Sequence, residues 1–376
     1  MQIHVISFNI PYPPNYGGVI DVYYKIKALY DLGVEINLHC FEYGREESQE
    51  LKKICNNVFY YHREHSYLDF TSKTPYIVKT RKNVSLLDNL LKDDSPILFE
   101  GLHTCYYLAE DKLKSRLKIV RMHNVESDYY RALGGGERNI MRKFYFYTES
   151  IKLKNFEKIL NRADLILPIS IADYDQLKIK YQHVEFLPAF HPNENVVSLL
   201  GKGDYALFHG NLSVNENNQA AVWLVAKVFK GLKEKLIIAG SNPSPTLLKI
   251  AAAFPNVEVI ANPNLEKMNQ LVRDAHIHVL PTFQATGIKL KLLNALFNGR
   301  FVLVNPPMVE NTGLERLCTI AETAEEMKGM VKILMKNNFG EKDKEMREEL
   351  LLASYSNVYN GEKLVGLIDD KTTEIN

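Results

Sequence analysis

Apolar positions along the chain fall into short continuous runs separated by longer stretches in which they recur every three or four residues. Residues 3–8, 34–41, 58–61, 96–100, 118–123, 164–170 and 184–189 are short runs bounded by polar, glycine or proline residues, which predicts buried strands. Helical spacing predicts helices at 19–32, 46–54, 85–91, 139–162 and 171–181. Residues 190–204 hold prolines, asparagines and glycines with little periodicity and read as a linker. A second series then begins. Strands are predicted at 205–209, 236–239, 257–260, 277–280, 301–304 and 319–321, with helices at 217–229, 244–254, 265–273 and 288–297 between them. Charged amphipathic helices at 323–336 and 341–353 follow, and 354–369 closes the chain. Strands alternating with helices predict the α/β class, with two doubly wound parallel sheets in two domains, 1–195 and 196–354.

The most informative stretch is 276–299, HIHVLPTFQATGIKLKLLNALFNG. The apolar run is closed by Pro281 and followed by a polar loop. A helix with Ile288, Leu292, Leu293, Leu296 and Phe297 on one face comes next, and Gly299 stops it. Thr286 suits an N-cap, and Gly287 permits a close backbone approach. The first turn and a half carries Lys289 and Lys291 and no acid. A lysine there opposes the helix dipole by about 0.3–1 kcal/mol when exposed. Free amides beside a lysine make a seat for phosphate, although a solvated helix with two lysines has the same composition. Gly17 and Gly18 precede the first helix, where they allow close approach of a ligand or simply form a tight turn. His123 ends a predicted strand, the place where open α/β sheets bind ligands and also one where an imidazole can be structural. The segment 139–162 interleaves lysine and arginine with Phe144, Tyr145, Phe146, Tyr147 and Phe156. Such a helix either packs on the core with a solvated charged face or lies on an anionic membrane surface.

Composition narrows the field further. A chain of 376 residues exceeds one ordinary core. With 46 basic against 45 acidic residues, no nucleic-acid partner is indicated. The four cysteines are scattered, without a C-x-x-C pair, which fits a reducing compartment better than disulfides or zinc. MQIHVISFNI lacks the features of a signal peptide, and no apolar run approaches the ~20 residues needed to span a bilayer. A cytoplasmic location is expected, with peripheral contact at the inner membrane face as the extension that 139–162 would imply. P-loop, G-x-G-x-x-G and H-E-x-x-H patterns are absent, which removes the best support for kinases, ordinary NAD enzymes and zinc proteases.

Residues 285–295, ATGIKLKLLNA, resemble the donor-site helix of the retaining glycosyltransferases of the GT-B fold, specifically family 4 (glycosyl transferases group 1). That family reads "E-x7-E" or "G-x-G-I-K-L-K-x-L-E-A" here. Thr286 takes the place of the first glutamate and Asn294 that of the second, which in the family holds the ribose hydroxyls. Asn294 would hold a diol as a weaker, neutral partner. The opening "P-x-x-G-G…L…L-x-x-G-x-x-V" and the stretch Gly210-Asn211-Leu212-Ser213 with Asn217, Ala220, Ala221 and Trp223 are similar to the family as well. Asn211 stands where many members carry a diphosphate-gripping arginine, which throws more of that charge onto Lys289.

The resemblance implies two Rossmann-like domains facing across a cleft, with a C-terminal helix at about 355–376 packing back on the first. It also implies a metal-independent hexosyltransferase that moves a sugar with retention. The donor would be a UDP- or GDP-type nucleotide sugar, serving as substrate and not cofactor, and the acceptor a glycan or lipid-linked sugar in cell-surface polysaccharide synthesis. His123 and Lys289 become the catalytic candidates. Gly17, Gly18, Gly210, Asn211, Thr286, Gly287, Ile288 and Asn294 become donor-binding candidates. No carboxylate pair stands out as it would in a glycosidase. A sugar-nucleotide epimerase of the same fold and a non-catalytic member that binds nucleotide sugar or glycan remain as alternatives.

Overall fold

The structure, a computed structural model, describes residues 1–64, 66–137, 139–283 and 290–375. The expectations placed on Thr286, Gly287, Ile288 and Lys289 lie outside these residues. The described residues divide into two units, one of residues 1–192 with 354–375, the other of 193–283 with 290–353.

In the first unit the strands are β1 (Gln2–Ser7), β2 (Glu35–Glu42), β3 (Asn57–His62), β4 (Ile97–Glu100), β5 (Lys118–Met122) and β6 (Leu165–Pro168). They form one sheet in the order β3-β2-β1-β4-β5-β6, every pairing parallel. Both faces are covered, which is why these strands read as continuous apolar runs. One face packs Val5, Ile36 and Leu38 against Val22, Ile26 and Leu29 of the helix Gly17–Asp31. Leu364 and Ile368 of the helix Asn357–Ile375 join that core. A Cβ on Gly361 would lie 3.0 Å from Leu32 Cδ1 and 3.4 Å from Ala28 Cβ, so a glycine lets the two helices meet. The other face packs Ile6, Phe99, Val120 and Met122 against Leu153 and Leu177.

The second unit repeats the plan with β7 (Tyr205–His209), β8 (Lys235–Gly240), β9 (Val257–Ala261), β10 (Ile277–Leu280), β11 (Phe301–Val304) and β12 (Thr319–Ile320). Its order is β12-β11-β10-β7-β8-β9, again all parallel. In each sheet the chain runs outward from its first strand, returns, and runs outward the other way. The winding therefore reverses between β1 and β4 and between β7 and β10. At such reversals the loops beyond the strand C-termini diverge and leave a crevice, where doubly wound sheets bind ligands.

Two predicted elements differ. Residues 184–189 form no strand beyond a single bridge, Ile166 to Val184. The Glu185 and Leu187 amides donate to Ile166 O and Pro168 O of β6, but Pro168 has no N–H to return to Glu185 O, so the ladder stops. The carbonyls of Leu187 and Pro188 accept from the Arg121 guanidinium. The expected helix at 46–54 is only a 3₁₀ turn, Leu51–Lys53. Tyr60 captures the backbone before it, its hydroxyl accepting from Ser48 N and donating to Ser48 O.

Candidate functional site

The first unit concentrates charge at its reversal point. β4 ends on Glu100, and the register places Glu100 beside Arg121 of β5, two residues before His123. From the helix above, Asp21 and Lys25 project one turn apart onto the same place, and all five side chains are buried. Lys25 Nζ lies 2.9 Å from Asp21 Oδ2 and 2.7 Å from Glu100 Oε1. Arg121 grips Asp21 with two nitrogens, at 3.2 and 2.8 Å, and Asp21 also accepts from the Phe190 amide at 2.9 Å. His123 Nε2 is 2.9 Å from Glu100 Oε2.

Two carboxylates and two permanent cations balance, and the balance decides ionisation. Burial pushes both carboxyls up, but Arg121 and Lys25 outweigh it at Asp21, and Lys25 with the His123 contact outweighs it at Glu100. Both stay ionised. A carboxylate only accepts, so His123 Nε2 carries the proton and the ring orientation is fixed by Glu100. Ligand atoms of Asp21, Glu100 and His123 lie within 4.8 Å of one another, a spacing that could hold a metal ion. The Lys25 ammonium already bridges the two carboxylates, however, so the donor set fits a protein cation better than a metal.

Aromatic packing sets the position of His123. The Phe8 ring meets it edge-on, centroids 5.4 Å apart. A Cβ on Gly18 would stand 2.6 Å from Phe8 Cζ, so the close approach this glycine permits is to Phe8. Gly17 is the first residue of the helix, whose start has no side-chain cap. Gly101, at φ 73°, has no room for a Cβ, which would lie 2.9 Å from His103 Nδ1. His103 Nδ1 is 3.7 Å from Glu126 Oε1, and burial pushes the Glu126 carboxyl up to about 8.

In the second unit, Gly210 and Asn211 follow β7 at the reversal point. Asn211 Oδ1 accepts from the Ser213 amide at 3.0 Å and the Ser213 hydroxyl at 2.7 Å, closing its own turn. Asn211 O accepts from Asn217 Nδ2, and Asn217 Oδ1 accepts from Lys291 Nζ at 2.8 Å. That ammonium also lies over the Phe208 ring, 5.4 Å from its centroid. The sequence-predicted loop and the start of the helix Leu290–Asn298 are thus tied together. Glu216 accepts from the Thr282 hydroxyl and adds a link to the end of β10. Asn294 sits a turn further along, its Oδ1 accepting from Asn298 Nδ2 at 2.9 Å. His209, last in β7, is buried, and burial, reinforced by Lys291, lowers it to about 4, so it is neutral.

Sequence reasoning named His123 and missed Asp21, Lys25, Glu100 and Arg121. The signal was present: an Asp–Lys pair at i, i+4 in line with Val22, Ile26 and Leu29, and charges inside the apolar runs 96–100 and 118–123.

No family model matches the chain. A 44.6 kDa uncharacterized protein in the cps region of Klebsiella pneumoniae is 29% identical over 330 residues, covering 83% of this chain and 84% of the relative. Among solved structures, sucrose-phosphate synthase from Thermosynechococcus elongatus superposes with a TM-score of 0.71 at 13% identity, over 99% of each chain. TarM gives 0.69 at 11% identity over 98% of each chain. Anabaena HepE, solved with UDP and glucose, gives 0.67 at 10% identity, over 98% of this chain and 100% of its own. The chain has the fold of the GT-B glycosyltransferases, built from two Rossmann-like parallel-sheet units.

Proposed function

We propose that this protein is a retaining glycosyltransferase that moves a hexosyl group from a UDP- or GDP-type nucleotide sugar to a glycan or lipid-linked acceptor. The observation that carries the reading is the His123–Glu100 pair, held by Lys25 at the reversal point of the first sheet in a GT-B chain. Supporting it, HepE was solved with UDP and glucose, and S. aureus TarM with fondaparinux, α-GlcNAc-glycerol and UDP. Cell-surface polysaccharide as the destination is supported by the cps-region relative.

In this reading the second unit takes the nucleotide and the first takes the acceptor. The bond from the anomeric carbon to the diphosphate breaks, and the acceptor oxygen bonds to that carbon on the same face. The acceptor proton passes to the departing diphosphate. Negative charge grows on the leaving group, so fixed cations and amide dipoles aimed at it lower the barrier. Lys291, fixed by Asn217 and Phe208, is one such cation, and Lys289 is the other we assign, on its sequence position. No step in this scheme calls for a metal ion. Lys289→Ala is expected to lower turnover at saturating donor by about tenfold or more, and wild-type turnover in that variant would remove Lys289 from the site.

Thermal unfolding against UDP, GDP, ADP, CMP and dTDP tests the binding half. A nucleotide at about 100 times its dissociation constant adds about 2.7 kcal/mol to the folded state and raises the midpoint accordingly. UDP or GDP is expected to stand out. No shift with any of the five at millimolar concentration would favour a non-catalytic member of the fold. Isomer formation from donor alone would replace the transferase reading with a sugar-nucleotide epimerase.

A further inference from the structure

The helix Ile140–Phe156 is apolar on two sides. Its inner side packs on the helix Glu126–Gly136. There Ser150 Oγ donates to Ser127 O at 2.8 Å, Phe146 meets the Tyr130 ring edge-on, and Leu153 is fully buried. The sequence left open whether the outer side would be a solvated charged face, and its centre is not. Ile140, Phe144, Tyr147 and Ile151 recur at i, i+4, i+7 and i+11 with exposures of 83, 71, 39 and 60%, and Met141 beside them is 83% exposed. Single exposed apolar residues are ordinary, but a continuous stripe along three turns is not.

Charge on this helix has one sign. Lys143 and Lys154 border the stripe, and Arg142 is exposed near its start. The single acidic residue of the helix, Glu149, is buried, accepting from the Tyr76 amide at 2.6 Å and pairing with Lys152 at 2.8 Å. A second copy docked by a two-fold axis would set this basic stripe against itself, with lysines facing lysines. An anionic lipid surface does the reverse: it accepts the apolar side chains at the headgroup boundary and neutralises the bordering cations. Lysine stems can lie along the stripe with their ammonium groups at the phosphates. No helix among the described residues is long and apolar enough to cross a membrane, so the contact is interfacial.

We propose that the helix Ile140–Phe156 is a membrane-surface helix that docks on bilayers containing anionic phospholipid. The proposal is independent of glycosyl transfer. Its test is co-sedimentation of the full chain with vesicles of phosphatidylcholine alone or of equal parts phosphatidylcholine and phosphatidylglycerol. Binding to the mixed vesicles, and not to the neutral ones, is expected at physiological salt. Ile140→Glu with Phe144→Glu, and separately Lys143→Glu with Lys154→Glu, should each weaken that binding by about tenfold or more. All four side chains are exposed, so the thermal midpoint should hold and unfolding would not explain the loss. Absence of wild-type binding, or binding that both double variants retain, overturns the proposal. Concentration-dependent self-association that Phe144→Glu abolishes, without lipid binding, would instead assign the stripe to a second copy.

Discussion

Replacing Arg121 with alanine is expected to destabilise the protein by about 3–5 kcal/mol, the range for removing one partner of a buried ion pair. The guanidinium is fully buried and holds three things together. It grips Asp21 with two nitrogens, and it donates to the carbonyls of Leu187, at 2.5 Å, and Pro188, at 2.9 Å. Without it, Asp21 keeps Lys25 and the Phe190 amide but loses its strongest counter-charge, and two buried carbonyls lose a donor. Acid should narrow the difference. Burial alone would raise the Asp21 carboxyl, but Arg121 and Lys25 hold it far below its ordinary value. On acidification the unfolded chain therefore takes up the proton first. The stabilisation is fully present above the ordinary aspartate pKa of about 3.9 and is lost as the pH falls below it. Urea midpoints for wild type and variant at neutral pH and at pH ~2, well below the unfolded aspartate pKa, would show the gap and its narrowing. A neutral-pH difference under about 1 kcal/mol would mean that the cluster stabilises the fold no more than an exposed pair does.

That network also marks where sequence reading succeeded and where it stopped. β7, β10 and β11 fall where the pattern put them, because a strand covered on both faces needs an unbroken apolar run. Even His278 in β10 obeys the rule: it is fully buried, with Nε2 bonded to Val272 O. Residues 184–189 look the same by composition, yet Pro168 of β6 cuts their ladder short, and the carbonyls of Leu187 and Pro188 are claimed by a side chain from β5, 66 and 67 positions away. No local pattern carries that information. The candidate site divides the same way. His123 was visible as a histidine ending a strand, whereas its partner Glu100 depends on strand register, and Asp21 meets Arg121 across 100 residues. Asn211 takes the sequence position of a diphosphate-binding arginine. Its side chain closes a turn with Ser213, a contact no sequence pattern shows, and Lys291, through Asn217, brings positive charge to that loop.

His123→Ala should lower the turnover of glycosyl transfer by about 10²-fold or more, the usual consequence of removing a preorganised polar group from a reacting centre. UDP or GDP should still raise the unfolding midpoint, because Gly210, Asn211, Lys291 and Asn294, assigned to the nucleotide, belong to the second unit. The separation matters because His123 is itself buried, at 7% exposure, and its loss leaves Glu100 Oε2 without its imidazole partner. Some fall in stability is therefore expected, and activity must be read well below the variant's own unfolding range. Glu100→Gln is the companion variant. It removes the charge that orients His123 and leaves the imidazole in place, so it should cost about tenfold, less than the alanine variant. If His123→Ala keeps transfer to within roughly twofold, the imidazole does no chemistry and the pair only joins two strands. If instead transfer and nucleotide stabilisation disappear together, His123 supports the folded state of the whole chain, and the reacting group must be sought elsewhere on the first unit. Only a fall in kcat at retained nucleotide binding identifies His123 as the group that meets the transferred sugar.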